Sequence, residues 1–334
     1  MAVLYVVEQG ATLRKTGERL LVTKDGVTLA SVPTIKVQQV VIFGNVQLTT
    51  QVIVHLLLSS VDVVFLATSG RYYGRLLSSE STYGDLRQRQ MRFVDDPVRA
   101  LPVAQQFVRA KLLNQQRVLV KWSDLQPDRS LASIIRDLGE LAERVPRTQQ
   151  INSLMGVEGK GSALYFSGFR SLLTQDLGFS VRNRRPPRDP INAMLSFGYT
   201  LLVYSIQSVV QTIGLDPYLG FLHAPAYSRP SLVLDLMEEF RPSVIDELIL
   251  TQVNGRRLSA ADFVTDTDDP DRPVLLTDDG RRRFLAAYEA ILSPRPPVSG
   301  EAATGFRRLF EVNARQIARL ASGQQSEYRP WLAS

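Results

Sequence analysis

The spacing of apolar residues changes once along this chain, near residue 80, and that change limits the fold to two differently built parts. From Val3 to about Gly74 the apolar residues come in short runs, LYVVEQG, RLLVTKDG, TLASVP, IKVQQVVIFG and VDVVFLATSG, rich in Val, Ile, Leu and Tyr. Runs of this length, punctuated by Lys24-Asp25-Gly26, Pro33, Gly44-Asn45 and Ser69-Gly70, predict β-strands joined by turns. One insertion, TTQVIVHLLLSS, predicts a short buried helix between two strands, with His55 packed and neutral among valines and leucines. Beyond Thr82 the apolar residues recur at helical spacing in LRQRQMRF, PVRALPVAQQFVRAKLLNQQRVLVKW, LASIIRDLGELAERV and INAMLSFGYTLLVYSIQSVVQTI. Pro97 and Pro190 stand where a first helical turn tolerates a missing N–H. The expected fold class is therefore α+β: a β-sheet domain over residues 1–85 and a helical domain over residues 86–334.

Length supports the division, because 334 residues exceed a typical single-core domain of roughly 100 to 200. No run reaches the roughly 18 consecutive apolar residues of a membrane span, and MAVLYVVEQG has neither the basic start nor the cleavage site of a signal peptide. The expectation is a soluble, cytoplasmic protein with no membrane partner. With no cysteine, disulfides, thiolate zinc sites and cysteine nucleophiles drop out together, so any metal must rest on carboxylates and histidine. A net charge of +6 leans toward a polyanionic partner, but so mild an excess is common on solvated surfaces.

Late in the chain, seven aspartates between Asp262 and Asp279 are interleaved with Pro270, Pro273 and Gly280. They lack the closing bidentate glutamate of a calcium loop, so an exposed loop or hairpin is expected, leading to a helix capped near Thr277. SPRPPVSG from Ser293 to Gly300 reads as a stiff linker before a last amphipathic helix carrying Phe306, Leu309, Phe310, Ile317 and Leu320.

Two stretches carry chemistry. LMGVEGKG surrounds Glu158, and GFLHAPAYSRPSLVLDLMEEFRP runs from Gly220 to Pro242. One of only two histidines, His223, sits in a loop-like segment ahead of a helix that Pro230 can open. On that helix Asp235 and Glu238 are three apart and share a face, while Leu232 and Leu236 can pack. A chain reversal would bring the imidazole over that face, and Glu158 would add a third ligand for an oxygen-loving metal able to cut or join phosphodiesters. The plainer alternative is that Asp235, Glu238 and Glu239 form a solvated acidic face. Glycines at 156, 159 and 161 each cost ~1 kcal/mol in a helix relative to alanine, so they admit a close neighbour, either another helix or a sugar-phosphate backbone. Arg182, Arg184, Arg185 and Arg188 form an extended VRNRRPPRDP segment suited to phosphate contacts, or else an ordinary loop paired with internal acids. Tyr165 and Phe166 nearby fit core packing better than base stacking.

Taken together and in order, GVEG, RRPPRDPINAMLSFGYTLL and GFLH…SLVLDLMEEFRP resemble the CRISPR-associated integrase family, the DNA endonucleases of spacer acquisition. GERL, FG, AKLLNQQRVL and the pair Tyr328 and Pro330 extend the resemblance along essentially the whole chain. It implies a homodimer with a sandwich- or roll-like N-terminal β domain that dimerises and a helical catalytic domain. It further implies that Glu158, His223 and Glu238 bind Mg²⁺ or Mn²⁺, and that Asp235 is also needed, as support for a ligand or for a transient second metal. Glutamate at 238, where some relatives have aspartate, changes reach rather than charge. The implied activity is metal-dependent DNA cleavage and the joining of DNA fragments into a CRISPR array, in antiviral defence. The implied partners are double-stranded and branched DNA and a small adaptation protein. The rival classes are a DNA-binding scaffold with a structural metal and a hydrolase of small phosphate esters.

Overall fold

The computed structural model describes residues 2–76, 83–125, 131–183, 186–224, 229–267, 273–293 and 305–333. The chain divides into two compact units, Met1–Ser81 and Thr82–Ser334.

In the first unit the short apolar runs form β1 (Ala2–Val6), β3 (Arg19–Lys24), β4 (Val27–Pro33), β5 (Val37–Phe43) and β7 (Asp62–Leu66). Three further strands, β2 (Thr12–Thr16), β6 (Gln47–Leu48) and β8 (Tyr72–Leu76), complete two four-stranded sheets ordered β1-β5-β7-β8 and β4-β3-β2-β6. Neither β2 nor β8 belongs to an apolar run, because each puts few residues inward; in β2 only Leu13 is buried. Strand β5 pairs in parallel with β1 and β7, and its run from Val40 to Phe43 is buried on both faces, as a covered parallel strand requires. The sheets share one core, in which Leu13, Leu20 and Val22 meet Val40, Ile42 and Val63. Helix α1 (Thr50–Leu58) is only half buried, contrary to the expected burial: Val52 and Leu56 face the core, while Val54 and Leu58 are 49% and 82% exposed. A nine-residue helix packed against a sheet has one inward stripe, and His55 lies beside it with Nε2 2.9 Å from Thr34 Oγ1.

The second unit is built from α2 (Gly84–Val94), α3 (Pro97–Leu125), α4 (Ala132–Arg144), α5 (Ile151–Ser171), α6 (Pro190–Ile213), α7 (Ser231–Glu238), α8 (Glu247–Asn254), α9 (Asp278–Leu292) and α10 (Phe306–Ala321). Between α7 and α8 the chain makes a π-helical turn, Arg241–Asp246, containing Pro242. Pro190 opens α6, whose N-cap Asp189 accepts from Asn192 N at 2.8 Å, and Thr277 caps α9 by accepting from Gly280 N. Within the aspartate-rich stretch β9 (Phe263–Thr265) and β10 (Val274–Leu276) pair as an antiparallel ribbon, so among the described residues this unit is helical apart from these two strands. The expected linker Ser293–Gly300 falls, from residue 294 on, outside the described residues. Among the described residues α6 alone is long and apolar enough to cross a membrane, and 67% of its most apolar stretch is buried within the unit.

Helices α3 and α5 approach closely because α5 carries glycine at the contact. A Cβ on Gly161 would lie 2.1 Å from Leu112 Cδ2, and one on Gly168 would lie 3.1 Å from Leu119 Cδ1. Gly161 thus serves a neighbouring helix. Gly156 and Gly159, by contrast, face nothing within 4 Å, which leaves the surface beside Glu158 bare.

Candidate metal centre

The acidic side chains singled out by sequence are held by contacts that cross between elements. Glu158 projects from α5, where its Oε1 accepts from Ser162 Oγ at 3.1 Å and pairs with the ammonium of Lys111 on α3. Glu238 ends α7 with its Oε2 2.8 Å from the same ammonium and its Oε1 3.2 Å from Arg241. Lys111 is 4% exposed and Glu238 is 3% exposed, so the two carboxylates share one buried cation. Burial alone would raise the Glu238 carboxyl, but Arg241, then Lys111 and His223, outweigh it and hold it at about 2. Glu238 is therefore an ionised carboxylate throughout the physiological range, held by the Lys111 ammonium on one oxygen and by Arg241 on the other.

His223 reaches the site by the chain reversal anticipated from sequence. The segment Gly220–His223 folds back on α7, and Asp235 accepts from the backbone N–H of Phe221 at 2.5 Å, Leu222 at 2.9 Å and His223 at 3.1 Å. The same carboxylate lies 2.6 Å from His223 Nδ1. An Nδ1–H donated to Asp235 leaves Nε2 as the ring nitrogen available to a ligand. Asp235 and Glu238 do share one side of α7, but they do not converge on one point: Asp235, fully buried, is consumed by the loop, and Glu238 faces Lys111.

The reversal depends on Gly220. A Cβ there would lie 2.7 Å from the Ser231 backbone carbon and 2.8 Å from Asp235 Oδ2. Gly220→Ala is expected to push the loop off Asp235, costing about 1–3 kcal/mol of stability as overpacking does. It should lower strand-cutting activity more than the loss of folded protein accounts for. Thermal melting and cleavage of branched DNA read the two effects separately, and unchanged cleavage would show that the loop does not depend on this close approach.

Among the described residues no three of the His, Asp and Glu side chains stand close enough to hold a metal as they lie, because an ammonium fills the gap between Glu158 and Glu238. The donor set nevertheless fits a hard divalent cation. Two carboxylates from separate helices already converge on one positive charge, and the loop folded onto the second of those helices carries an imidazole whose field reaches Glu238.

Residues 4–290 match the sequence profile of the family described as CRISPR associated protein Cas1. The chain belongs to the Cas1 family. It is 35% identical to CRISPR-associated endonuclease Cas1 3 of Thermus thermophilus, over 99% of this chain and 97% of that one. It is 34% identical to CRISPR-associated endonuclease Cas1 2 of Rhodospirillum rubrum, over 98% and 97%. In fold it matches a Cas1 protein from Thermotoga maritima with a TM-score of 0.83 at 24% identity, over 99% of this chain and 100% of that one. A casposase bound to integration product matches with a TM-score of 0.83 at 24% identity, over 100% and 96%. The Cas1 architecture of a β-sheet unit followed by a helical unit is thus the one expected from the periodicity of the sequence.

In this Cas1 chain Glu239 and Arg182 stand differently from their sequence reading. Glu239 is not solvated but wholly buried, accepting from Asn313 Nδ2 at 2.6 Å, Trp331 N at 2.8 Å and the Tyr328 hydroxyl. Burial pushes its carboxyl up to about 8 against those three donors. Arg182 is turned inward, donating to Asn192 Oδ1 at 2.8 Å and Ser196 Oγ at 3.3 Å and lying over the Tyr199 ring. Arg188 is exposed, and Arg184 and Arg185 lie outside the described residues. Tyr165 and Phe166 pack with Phe169 and Phe179, as core aromatics do.

Sequence reading missed Lys111 and Arg241. The signal for Lys111 was present: it falls in the apolar register of α3, between Phe107 and Val108 before it and Gln115 and Val118 after it. Both cations also line a cavity of about 400 Å³ with Gln115, Arg170, Arg182, Tyr199 and Asp246. The Tyr199 hydroxyl donates to Asp246 Oδ1 at 2.6 Å, and burial raises the Asp246 carboxyl to about 6.

Proposed function

We propose that this chain is a Mg²⁺- or Mn²⁺-dependent DNA endonuclease and integrase of CRISPR adaptation, acting in the cytoplasm as a homodimer with a small adaptation partner protein. The observation that carries this reading is the pair of carboxylates, Glu158 on α5 and Glu238 on α7, converging on one cation beside the imidazole of His223. The named endonuclease activity of the Thermus and Rhodospirillum relatives supports it, as does the likeness in fold to a casposase bound to integration product. A Cas6-RT-Cas1–Cas2 complex, of which this chain matches 36% of the compared chain with a TM-score of 0.86 at 24% identity, supports the partner protein.

In this reading Glu158, Glu238 and His223 hold the ion. When bound, the ion would neutralise charge building on the phosphate and polarise the attacking oxygen. Asp235 fixes the imidazole in the tautomer that leaves Nε2 free to ligate, and it anchors the loop that carries it. The open face beside Gly156 and Gly159 gives a sugar-phosphate backbone room to reach Glu158, and the exposed Arg188 offers it a guanidinium. With water as the attacking oxygen the outcome is cleavage. With a DNA 3′-hydroxyl it is strand joining, since the same displacement at phosphorus then exchanges one ester for another.

Incubation of the purified protein with branched and supercoiled DNA tests the reading, using Mn²⁺ in one arm and EDTA in the other. Cleavage and joined products in the Mn²⁺ arm alone are expected. A protein that binds DNA without altering it in either arm would be a scaffold, and one that ignores DNA yet hydrolyses small phosphate esters would belong to the other rival class.

A further inference from the structure

Lys111 is an unusual occupant of a metal centre. Its ammonium pairs with Glu158 Oε1 and stands 2.8 Å from Glu238 Oε2, the same two carboxylates proposed above to hold the ion. Two carboxylates, Lys111 and Arg241 together leave the site near neutrality, with Arg241 on the other oxygen of Glu238. A divalent ion entering between Glu158 and Glu238 would meet the ammonium in the same space, so one of the two must move.

Lys111 has somewhere to go. Its four-carbon stem is flexible, and it lines the cavity next to Gln115, one turn further along α3. Gln115 is 2% exposed, and its Oε1 is buried without a hydrogen-bond donor. The Asp246 carboxyl lines the same cavity. An amide oxygen lacking a donor, in a cavity that a carboxylate also lines, is a second berth for an ammonium, and occupying it would supply the hydrogen bond that Gln115 lacks.

We infer that Lys111 is a displaceable internal cation: its ammonium bridges Glu158 and Glu238 in the metal-free protein and turns toward Gln115 and Asp246 when a divalent ion enters. Lys111 is then a positioning residue. It keeps the carboxylates aligned before loading and lowers the apparent metal affinity by competing for them. Once turned, it adds positive charge to a cavity already lined by Arg170, Arg182 and Arg241. The inference rests on the metal reading of Glu158, His223 and Glu238, and its test separates the two.

Mn²⁺ titrations of the full chain without DNA, followed by the electron paramagnetic resonance of free Mn²⁺, compare wild type, Lys111→Met and Glu158→Gln. Methionine keeps the apolar stem and removes the charge, so Lys111→Met is expected to bind Mn²⁺ about tenfold or more tightly than wild type, while Glu158→Gln binds about tenfold or more weakly. Equal affinity of wild type and Lys111→Met, with Glu158→Gln still weakened, overturns the displaceable cation and leaves the metal centre standing. Affinity unaffected by Glu158→Gln, or no Mn²⁺ binding by wild type and Lys111→Met alike, overturns both. Should Lys111→Met fail to fold, wild-type crystals of one form, with and without Mn²⁺, decide the matter. The ammonium is expected to leave the carboxylates when Mn²⁺ is present, and an ammonium that stays between them with Mn²⁺ bound overturns the inference.

Discussion

Exchange of His223 for alanine, or of Glu158 for glutamine, is expected to lower DNA cutting and joining by a factor on the order of 10³ or more while leaving DNA binding near its wild-type strength. The size follows from what each would hold. A metal contributes several kcal/mol to a phosphoryl displacement, and each 1.4 kcal/mol is tenfold in rate. Folding should be little affected in either variant. The His223 side chain is 16% exposed and that of Glu158 24% exposed. Glutamine at 158 keeps an acceptor for Ser162, and Lys111 retains Glu238 as a counter-charge. Glu238 is the less clean position to exchange. Removing it strips Arg241 and Lys111 of a buried partner, and breaking a buried pair costs about 3–5 kcal/mol, so lost activity would be confounded with lost fold. Initial rates on branched DNA with saturating Mn²⁺, alongside a filter-binding curve, give the measurement. A His223→Ala protein that cuts at the wild-type rate would remove the imidazole from the proposed ligand set.

Asp235→Ala is expected to be the most destabilising exchange in the site. It would leave the buried N–H groups of Phe221 and Leu222, together with that of His223, without their acceptor, and it would release the imidazole. Each orphaned buried donor costs about 1–3 kcal/mol. Three together predict a fall in melting temperature on the order of 10 °C for a unit of this size. Asp235→Asn should lose less stability than alanine and as much activity, because its amide can accept from part of the loop but turns a donor toward the rest. Melting curves and cleavage rates on the same preparations separate the two effects. A melting temperature for Asp235→Ala within ~2 °C of wild type would mean that the loop does not depend on this carboxylate.

Periodicity in the sequence marked the change from strands to helices and the helix starts at Pro97, Pro190 and Thr277, because those signals are local: a change of apolar spacing, a proline in a first turn, a hydroxyl cap. The folding of His223 back on α7 was legible for the same reason, with only a short loop to turn. What escaped was set by partners far away in the chain. Helix α7 is eight residues long and buried all round, with Leu232, Val233, Leu236 and Met237 inward alongside Asp235 and Glu238. On so short a helix no stripe distinguishes a solvated acid from one whose donors, Asn313, Tyr328 and Trp331, lie more than 70 residues later. Lys111 escaped because a single lysine among apolar neighbours reads as a stem lying along a surface, and the acids that claim it, Glu158 and Glu238, are 47 and 127 positions away (158 − 111 and 238 − 111).

The anchoring of Glu239 has a consequence for the order in which the molecule is completed. Asn114 donates to the carbonyls of Glu239 and Trp331 and accepts from Ala333 N, while Trp331 stacks on Phe240 at 5.5 Å. The middle of α3 and the end of α7 therefore acquire their last partners from residues 328–333, some 217 positions beyond Asn114. On a ribosome those residues emerge long after both helices have been made. Until then Glu239, the immediate neighbour of Glu238, lacks the donors of Tyr328 and Trp331, and its buried carboxyl opposes closure of the helices around it. The setting of the centre is thereby tied to a segment made well after its own residues, and a chain cut short of Tyr328 carries those residues without the framework that holds them in place.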